Sequence, residues 1–367
     1  MRIAIDAREI AGKPTGVGRY LSEILSAWAK LSGTAAHEFI LCTPEACSPA
    51  RWAPLRISNV SAAGSGTAWE QLVLPRLIKR AAADVLFAPA YTAPLWCPVP
   101  IVLTVHDVSF LAHPEWFSWR EGLRRRLITQ ASARRAARVL TQSDFTKREA
   151  VRHLGLDQSR VDVIYLGTTT LPGTAAPSHP RTLALSQREP LVLYVGSLFN
   201  RRHVPELIDG FTRLASRHPT ARLEIVGDNR TTPAIDVDDL IARSGMADRI
   251  RARQYVSDAE LSDLYARASA FAFLSEYEGF GLTPLEAMAA GIPVVVLDTE
   301  VSREIYGPAA EYVAEPEPGL IGAALERVLG NGEERARLIE AGAAQVARYS
   351  WDECARRTLQ VLLACTR

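Results

Sequence analysis

The sequence predicts an α/β protein of two doubly wound domains facing a cleft, and three observations carry that prediction. Short apolar runs alternate with amphipathic helical patterns along most of the chain. The alternation breaks at a stretch rich in Thr, Ala, Ser and Pro, from Thr168 to Pro190, and restarts with Leu191-Val192-Leu193-Tyr194-Val195-Gly196. A chain of 367 residues, 48% hydrophobic and 23% charged, is long enough to bury two sizeable cores. The boundaries read as a first domain over 1–170, a linker over 171–190, a second domain over 191–349 and a terminal helix over 350–367.

Composition excludes several classes. A formal net charge of +1 gives no global case for nucleic acid, so any basic surface is local. Cys42, Cys47, Cys97, Cys354 and Cys365 are odd in number and show no Cys-x-x-Cys spacing, against both a disulfide framework and a zinc site. A reducing cytoplasm is the simpler setting. The start Met1-Arg2-Ile3-Ala4-Ile5-Asp6 reaches an acid too early for a signal peptide, and no segment approaches the roughly 20 apolar residues of a spanning helix.

Arg2 to Asp6 alternates as a first strand. A polar loop runs to Thr15, and a helix starts near Gly16-Val17-Gly18, with Leu21, Ile24, Leu25 and Trp28 at helical spacing. Gly16 and Gly18 either admit a phosphate to this helix N-terminus or permit a tight turn. They are no dinucleotide fingerprint, because Leu21 stands where the third glycine belongs. His37 to Thr43 is the next strand. Trp69-Glu70-Gln71 opens a helix with Leu72, Leu74, Leu77 and Ile78 apolar, in which Glu70 is a candidate cap, and Ala83 to Pro89 is a strand.

Pro100 to Val105 is an apolar strand that delivers His106-Asp107 to its carboxyl end, where ligands of parallel sheets gather. A histidine there serves either a ligand or the neighbouring Asp107 side chain. From Trp119 to Arg138 a helix carries Arg120, Arg124, Arg125, Arg126, Arg134, Arg135 and Arg138 against Glu121, with Leu123, Leu127, Ile128 and Ala131 as its apolar stripe. It reads either as a solvated basic face or as a surface for anionic lipid. Arg138 to Ser143 is a strand, Ser143 or Asp144 caps a helix through Leu154, and Val161 to Gly167 closes the first half.

In the second half the strand Leu191 to Gly196 leads into Ser197-Leu198-Phe199-Asn200-Arg201-Arg202-His203, and Pro205 begins a helix. Two arginines at a strand-to-helix junction suit a diphosphate, since guanidinium groups fork onto phosphate oxygens. Ala221 to Gly227 is a strand. Asp236 and Asp238 have metal-like spacing but sit where acids favour a helix's first turn.

The densest chemistry lies between Phe271 and Leu297. A buried strand, Phe271 to Ser275, opens into Glu276-Tyr277-Glu278-Gly279-Phe280-Gly281. Thr283 then has the place of an N-cap, Pro284 of the first helical residue, and Glu286 lies three residues after the cap. The N–H groups of Gly281, Leu282 and Thr283 face any anion placed there. Glu286 either reaches back to Thr283 in a capping box or serves a ligand, whereas Glu278 caps nothing obvious. Two carboxylates beside an anion site suit a ligand that also offers hydroxyls, as a sugar joined to a diphosphate does.

Glu278 and Glu286, within Glu-Gly-Phe-Gly-Leu-Thr-Pro-Leu-Glu, resemble the signature of retaining glycosyltransferase family 4, whose members have the GT-B fold. Thr104-Val105-His106-Asp107-Val108-Ser109-Phe110 with Pro114-Glu115-Trp116-Phe117 resembles the family's first-domain motif, and Gln142-Ser143-Asp144-Phe145-Thr146 stands where the family has a serine-bearing turn. The resemblance implies two Rossmann-like domains, the first on the acceptor side and the second binding the nucleotide sugar. It also implies a terminal helix that crosses back onto the first domain with Trp351 as anchor. The family usually has lysine where this chain has Arg202, and often arginine where it has Ser197.

On that resemblance His106, Glu278, Arg201 and Arg202 are the expected catalytic residues. Gly16, Phe280, Gly281, Leu282, Thr283, Glu286, Tyr255 and Val256 are the expected donor-binding ones, the last two bordering the nucleobase. No metal and no cofactor are called for. The implied activity is hexosyl transfer to a saccharide or lipid-linked saccharide. Mannose from GDP-mannose is favoured, because the look-alikes are bacterial mannosyltransferases of surface-polysaccharide assembly. The setting is cytoplasmic, with peripheral membrane contact through helix 119–138 if the acceptor is lipid-linked. A sugar-nucleotide epimerase of the same fold and a non-catalytic nucleotide-sugar-binding protein are the alternatives. The first releases free sugar nucleotide, and the second shows no turnover.

Overall fold

The computed structural model describes residues 1–10, 16–168 and 188–366, apart from the side chains of residues 120 and 121. Residues 11–15, residues 171–187 of the linker expected over 171–190, and Arg367 lie outside the described residues. The chain divides into two compact units, Met1–Gly167 with Ser350–Arg367, and Thr168–Tyr349.

The first unit is built on seven strands, β1 (Arg2–Asp6), β2 (Glu38–Thr43), β3 (Ile57–Ser61), β4 (Val85–Ala88), β5 (Ile101–Thr104), β6 (Arg138–Thr141) and β7 (Val161–Val163). They pair in parallel in the order β3-β2-β1-β4-β5-β6-β7. The central strands are continuous apolar runs because helices cover both faces, and Ile3, Ala4, Ile5, Val102 and Leu103 are fully buried. Leu21, Ile24, Leu25 and Trp28 of the helix Gly16–Trp28 pack inward, again with no exposure. The Trp28 indole N–H donates to the Ala355 carbonyl at 2.8 Å, tying the terminal helix Trp351–Ala364 into this unit.

Two expectations for the helix that opens at Trp69 fail. Leu72 does not join Leu74, Leu77 and Ile78 in the core; it is 61% exposed. The helix there contains a π turn, Trp69–Val73, and its extra residue rotates the positions before Leu74 out of register with those after it. The same turn carries Glu70 inward, where it meets Arg8 instead of capping the helix. In the helix Trp119–Arg135 the stripe positions Leu123 and Leu127 face outward, while Thr129, Ser132 and Ala133 are buried.

The second unit repeats the plan with six strands, β8 (Leu191–Val195), β9 (Arg222–Val226), β10 (Ile250–Arg253), β11 (Ala270–Phe273), β12 (Val294–Leu297) and β13 (Ala310–Val313). Their order is β10-β9-β8-β11-β12-β13, all parallel. In each unit the chain winds outward from the first strand, then returns to its other side. The order therefore reverses between β1 and β4 and between β8 and β11, where open α/β sheets take their ligands, outside the carboxyl ends of the strands.

At the end of β9 the backbone leaves no room for a side chain: a Cβ on Gly227 stands 1.9 Å from the Gly196 carbonyl oxygen. Gly227→Ala is therefore expected to destabilise the second unit by about 3 kcal/mol or more. Gly16→Ala, whose Cβ meets nothing within 4 Å, should stay within about 0.5 kcal/mol of the parent. Urea unfolding of both variants makes the comparison.

Candidate active site

The loop after β8 turns through Asn200–Arg202 and reaches His203, whose backbone is left-handed at φ 50°, before the helix Val204–Arg217 begins. That turn aims both arginines across the reversal at the loop after β11. Arg201 lies over the Phe199 ring at 4.6 Å and donates from Nε to the Tyr277 carbonyl at 3.1 Å. Arg202 donates from Nε and Nη2 to Glu278 Oε1 at 2.9 and 2.8 Å, and from Nη1 to the Ser197 carbonyl at 2.8 Å. Its guanidinium is 4.8 Å from the Phe273 ring. Glu278 Oε1 also accepts from the Ser275 hydroxyl at 2.8 Å. The Glu276 N–H donates to the Arg201 carbonyl at 2.9 Å, and His203 bridges the Glu206 and Glu276 carboxylates.

Charge follows from this pairing. Burial works against the Arg202 cation, but the Glu278 carboxylate and the Tyr194 phenol outweigh it, and its pKa ends above the ordinary arginine value. Burial likewise works against protonated His203, and its two carboxylates reverse the balance and raise its pKa.

The helix after this loop begins earlier than capping rules suggest. It spans Leu282–Ala289, with Gly281 as N-cap at φ 84°, so Thr283 is its second residue and Pro284 its third. Gly281 is required there, because a Cβ falls 2.0 Å from the Tyr306 hydroxyl, which donates to the Gly281 carbonyl at 2.9 Å. A Thr283–Glu286 capping box is thereby excluded. Glu286 is on the second turn and 4% exposed. Phe280 is buried and packs its ring edge-on against Tyr349, with centroids 5.3 Å apart.

Tyr255 and Val256 follow β10, on the far side of β9 from β8, with Tyr255 67% exposed and Val256 buried. Beside them is a cavity of about 410 Å³ lined by Leu198, Gly227, Asn229, Val237, Arg253 and Gln254, which the sequence did not announce. Asp236 is the N-cap of the helix Val237–Arg243, accepting from the Asp239 N–H at 3.0 Å. Among the described residues no group of acids, histidines and cysteines is arranged to hold a metal ion.

In the first unit His106 follows β5. Its Nε2 bonds the Pro89 carbonyl at 2.6 Å, and its Nδ1 faces the Gln142 side-chain nitrogen. A carbonyl only accepts, so Nε2 carries the hydrogen and Nδ1 accepts from the Gln142 amide, which assigns a neutral ring. Burial lowers its pKa, and the partners only partly offset that. The ring does not donate to Asp107, whose carboxylate accepts instead from the Ser109 N–H and hydroxyl and from the Tyr91 hydroxyl. Gly16 opens its helix exposed. Nearby in the same sheet, Arg8 joins Asp6 and Glu70, both buried, at 2.7 Å each.

Two family profiles match the chain, one described as Glycosyltransferase Family 4 over residues 14–170 and one as Glycosyl transferases group 1 over residues 177–345. The chain belongs to glycosyltransferase family 4. The O-antigen chain mannosyltransferase B of Escherichia coli is 29% identical over 266 residues, 70% of this chain and 68% of its own length. The O-antigen chain mannosyltransferase RfbU of Salmonella typhimurium is 26% identical over 242 residues, 66% of this chain and 64% of its own. The chain thus spans about two thirds of the length of these curated relatives. The crystal structure of Anabaena Alr3699/HepE in complex with UDP-glucose is similar with a TM-score of 0.77 at 18% identity, covering 99% of this chain and 100% of that one. At that identity the likeness is one of fold, and the fold is GT-B.

In this glycosyltransferase the structure brings Arg201, Arg202 and Glu278 together, and sets Tyr255 and Val256 on the opposite flank of β8. Sequence reasoning missed Ser275, which stands in the quoted stretch as a mere strand end, and Gln142, whose partner is 36 residues away. It also missed the Asp6–Arg8–Glu70 cluster, for which no spacing gives a signal.

The two histidines titrate with opposite sign. The folded-state pKa of His106 lies below its ordinary 6.5. Below that value the unfolded chain takes a proton that the folded unit refuses, so stability falls as pH drops from about 6.5 toward the folded-state pKa. For His203 the folded-state pKa lies above 6.5, so its contribution is full below 6.5 and lost as pH rises through the raised value. Urea unfolding across about pH 5 to 8 should show the acid-side loss flattened in His106→Gln and the other dependence removed in His203→Asn. An unchanged profile in either variant refutes that assignment.

Proposed function

We propose that this glycosyltransferase moves a hexose, with retention at the anomeric carbon, from a nucleotide-diphosphate sugar to a saccharide or lipid-linked saccharide. The observation that carries the reading is the meeting of Arg201, Arg202 and Glu278 outside β8 and β11, beside the N-terminus of the helix Leu282–Ala289. Two guanidinium groups and the N–H groups of Gly281, Leu282 and Thr283 stabilise charge that develops on the departing diphosphate. Being held before the ligand arrives, they need no reorganisation during the reaction.

Glu278 orients the donor sugar's hydroxyls and Glu286 those of the ribose. Tyr255 and Val256 border the nucleobase. Clamped by Arg202 and Ser275, the Glu278 carboxylate is a poor nucleophile, which favours a front-face substitution. In that step the acceptor oxygen bonds the anomeric carbon as the diphosphate leaves, and the departing diphosphate oxygen takes the acceptor's proton. His106, neutral and held at both ring nitrogens, meets the sugar from the first domain as a fixed polar group, and Gly16 admits the diphosphate and acceptor. The guanidinium groups supply the positive charge, so the reading invokes no metal and no cofactor.

GDP-mannose is the favoured donor, supported by the names of the two O-antigen mannosyltransferases; UDP-glucose is the competing donor. A lipid-linked acceptor sets the reaction at the cytoplasmic face of a membrane, with peripheral contact through the helix Trp119–Arg135, which ends before Arg138 enters β6.

Thermal shift with GDP, UDP, ADP and CMP selects the nucleotide, since a ligand at a hundred times its Kd adds about 2.7 kcal/mol. Glu278→Gln should then cut kcat by about a hundredfold or more while that shift persists. Full activity in the variant sinks the proposed role. Free isomerised sugar nucleotide as the product, with no acceptor modified, favours the epimerase.

A further inference from the structure

We propose that one face of the first unit, built from three neighbouring segments, docks on the surface of an anionic lipid bilayer. The inference deepens the reading above, in which the acceptor is lipid-linked. Leu72, Leu95, Trp96, Trp119, Leu123 and Leu127 are the exposed large apolar residues of this unit among the described residues, and Trp96 and Trp119 are 70% and 71% exposed.

The helix Trp119–Arg135 is turned inside out relative to an ordinary surface helix. Its inward side is small or polar: Gly122, Thr129, Ser132 and Ala133. Trp119, Leu123 and Leu127, at four-residue spacing, form an outward stripe, the reverse of what burial alone favours. Hydrogen bonds set the other two segments beside it. The Ser132 hydroxyl bonds both the N–H and the C=O of Ala93 at 3.0 Å, and Arg135 reaches the Cys97 carbonyl, which fixes the loop that presents Leu95 and Trp96. The Leu95 N–H donates to Gln71 Oε1 at 2.9 Å, and Arg124 donates to the Thr67 hydroxyl at 2.9 Å, which brings Leu72 alongside.

Charge selects the occupant. Arg124, Arg125, Arg134 and Arg135 on the helix, and Arg76, Lys79 and Arg80 on its neighbour, are exposed. In sequence the helix carries Arg120, Arg124, Arg125, Arg126, Arg134 and Arg135 against the single acid Glu121. For a chain of net charge +1 this is a local basic surplus. Tryptophans and leucines ringed by arginines match the interface of a membrane, where indoles settle at headgroup depth and guanidinium groups pair with anionic lipid. No helix among the described residues is long and apolar enough to cross a membrane, so the contact is peripheral.

The full chain is sedimented with vesicles of phosphatidylcholine alone and of phosphatidylcholine mixed with an equal part of phosphatidylglycerol. Binding to the mixed vesicles, weakened by salt and by about tenfold or more in Arg125→Glu/Arg134→Glu, is expected. Trp96→Ser/Trp119→Ser should weaken it comparably, with the melting temperature and the nucleotide-induced shift unchanged. That nucleotide shift reads the donor site separately, so a failed docking face and a failed donor reading are told apart. No binding at low salt overturns the proposal, as does equal binding by the tryptophan variant. A concentration-dependent dimer that the tryptophan variant abolishes assigns the face to a second copy of the chain and overturns it too.

Discussion

The ion pair between Arg202 and Glu278 is the joint on which the second unit's site depends. Its partners come from the loops after β8 and β11, the two strands between which the sheet order reverses, so the pair closes the gap that topology opens. At 13% and 16% side-chain exposure both groups have given up most of their water. Such a pair is weak evidence for stability, but losing one partner leaves the other charged and poorly hydrated, which costs about 3 to 5 kcal/mol when burial is complete and less here. Ser275, the Ser197 carbonyl and the rings of Phe199 and Phe273 fix the geometry around it. The Tyr306–Gly281 bond holds the adjoining helix N-terminus in the same way. Positive charge and N–H dipoles are therefore in place at one spot before any ligand binds.

The first unit has the same strand order, with β7 added at one edge, and different electrostatics at the reversal. After β1, Arg8 bonds Asp6 at 3.0 and 2.7 Å and Glu70 at 2.7 Å, and Glu70 also accepts from the Thr92 hydroxyl. Burial pushes the Asp6 carboxyl upward in pKa against the pull of Arg8. Two carboxyl groups there share one guanidinium, whereas at the β8–β11 reversal two arginines stand beside Glu278. One architecture thus carries two unlike environments, and the difference resides in a few side chains at strand ends rather than in the fold.

Legibility in the sequence divides along the same line. Strands such as β5, β8 and β12 announce themselves because burial on both faces makes them continuous apolar runs. The half-exposed edge strand β3, Ile57-Ser58-Asn59-Val60-Ser61, does not; it is held partly by Asn59 bonding the Leu41 carbonyl and the Thr43 hydroxyl. Local capping rules pointed to Thr283, but the helix start is decided by Tyr306, 25 residues further on, which admits only glycine at 281. Arg202 and Glu278 were each legible as candidates for a ligand. Their bond to one another, across 76 residues, was not.

Helical spacing finds an apolar stripe but does not say which way it faces, and the helix Trp119–Arg135 shows what decides. Ser132 bonds both backbone groups of Ala93, so that helix face must approach the loop to hydrogen-bonding distance. Only a short side chain permits that approach, and the neighbouring inward positions are Thr129 and Ala133. A leucine stripe turned to the same side would hold the loop away and leave the Ala93 N–H and C=O buried without partners, at a cost of about 1 to 3 kcal/mol for each group. That cost is of the same order as the gain of about 1.5 to 3 kcal/mol from burying each leucine, so the backbone bonds offset the gain and the apolar stripe faces outward.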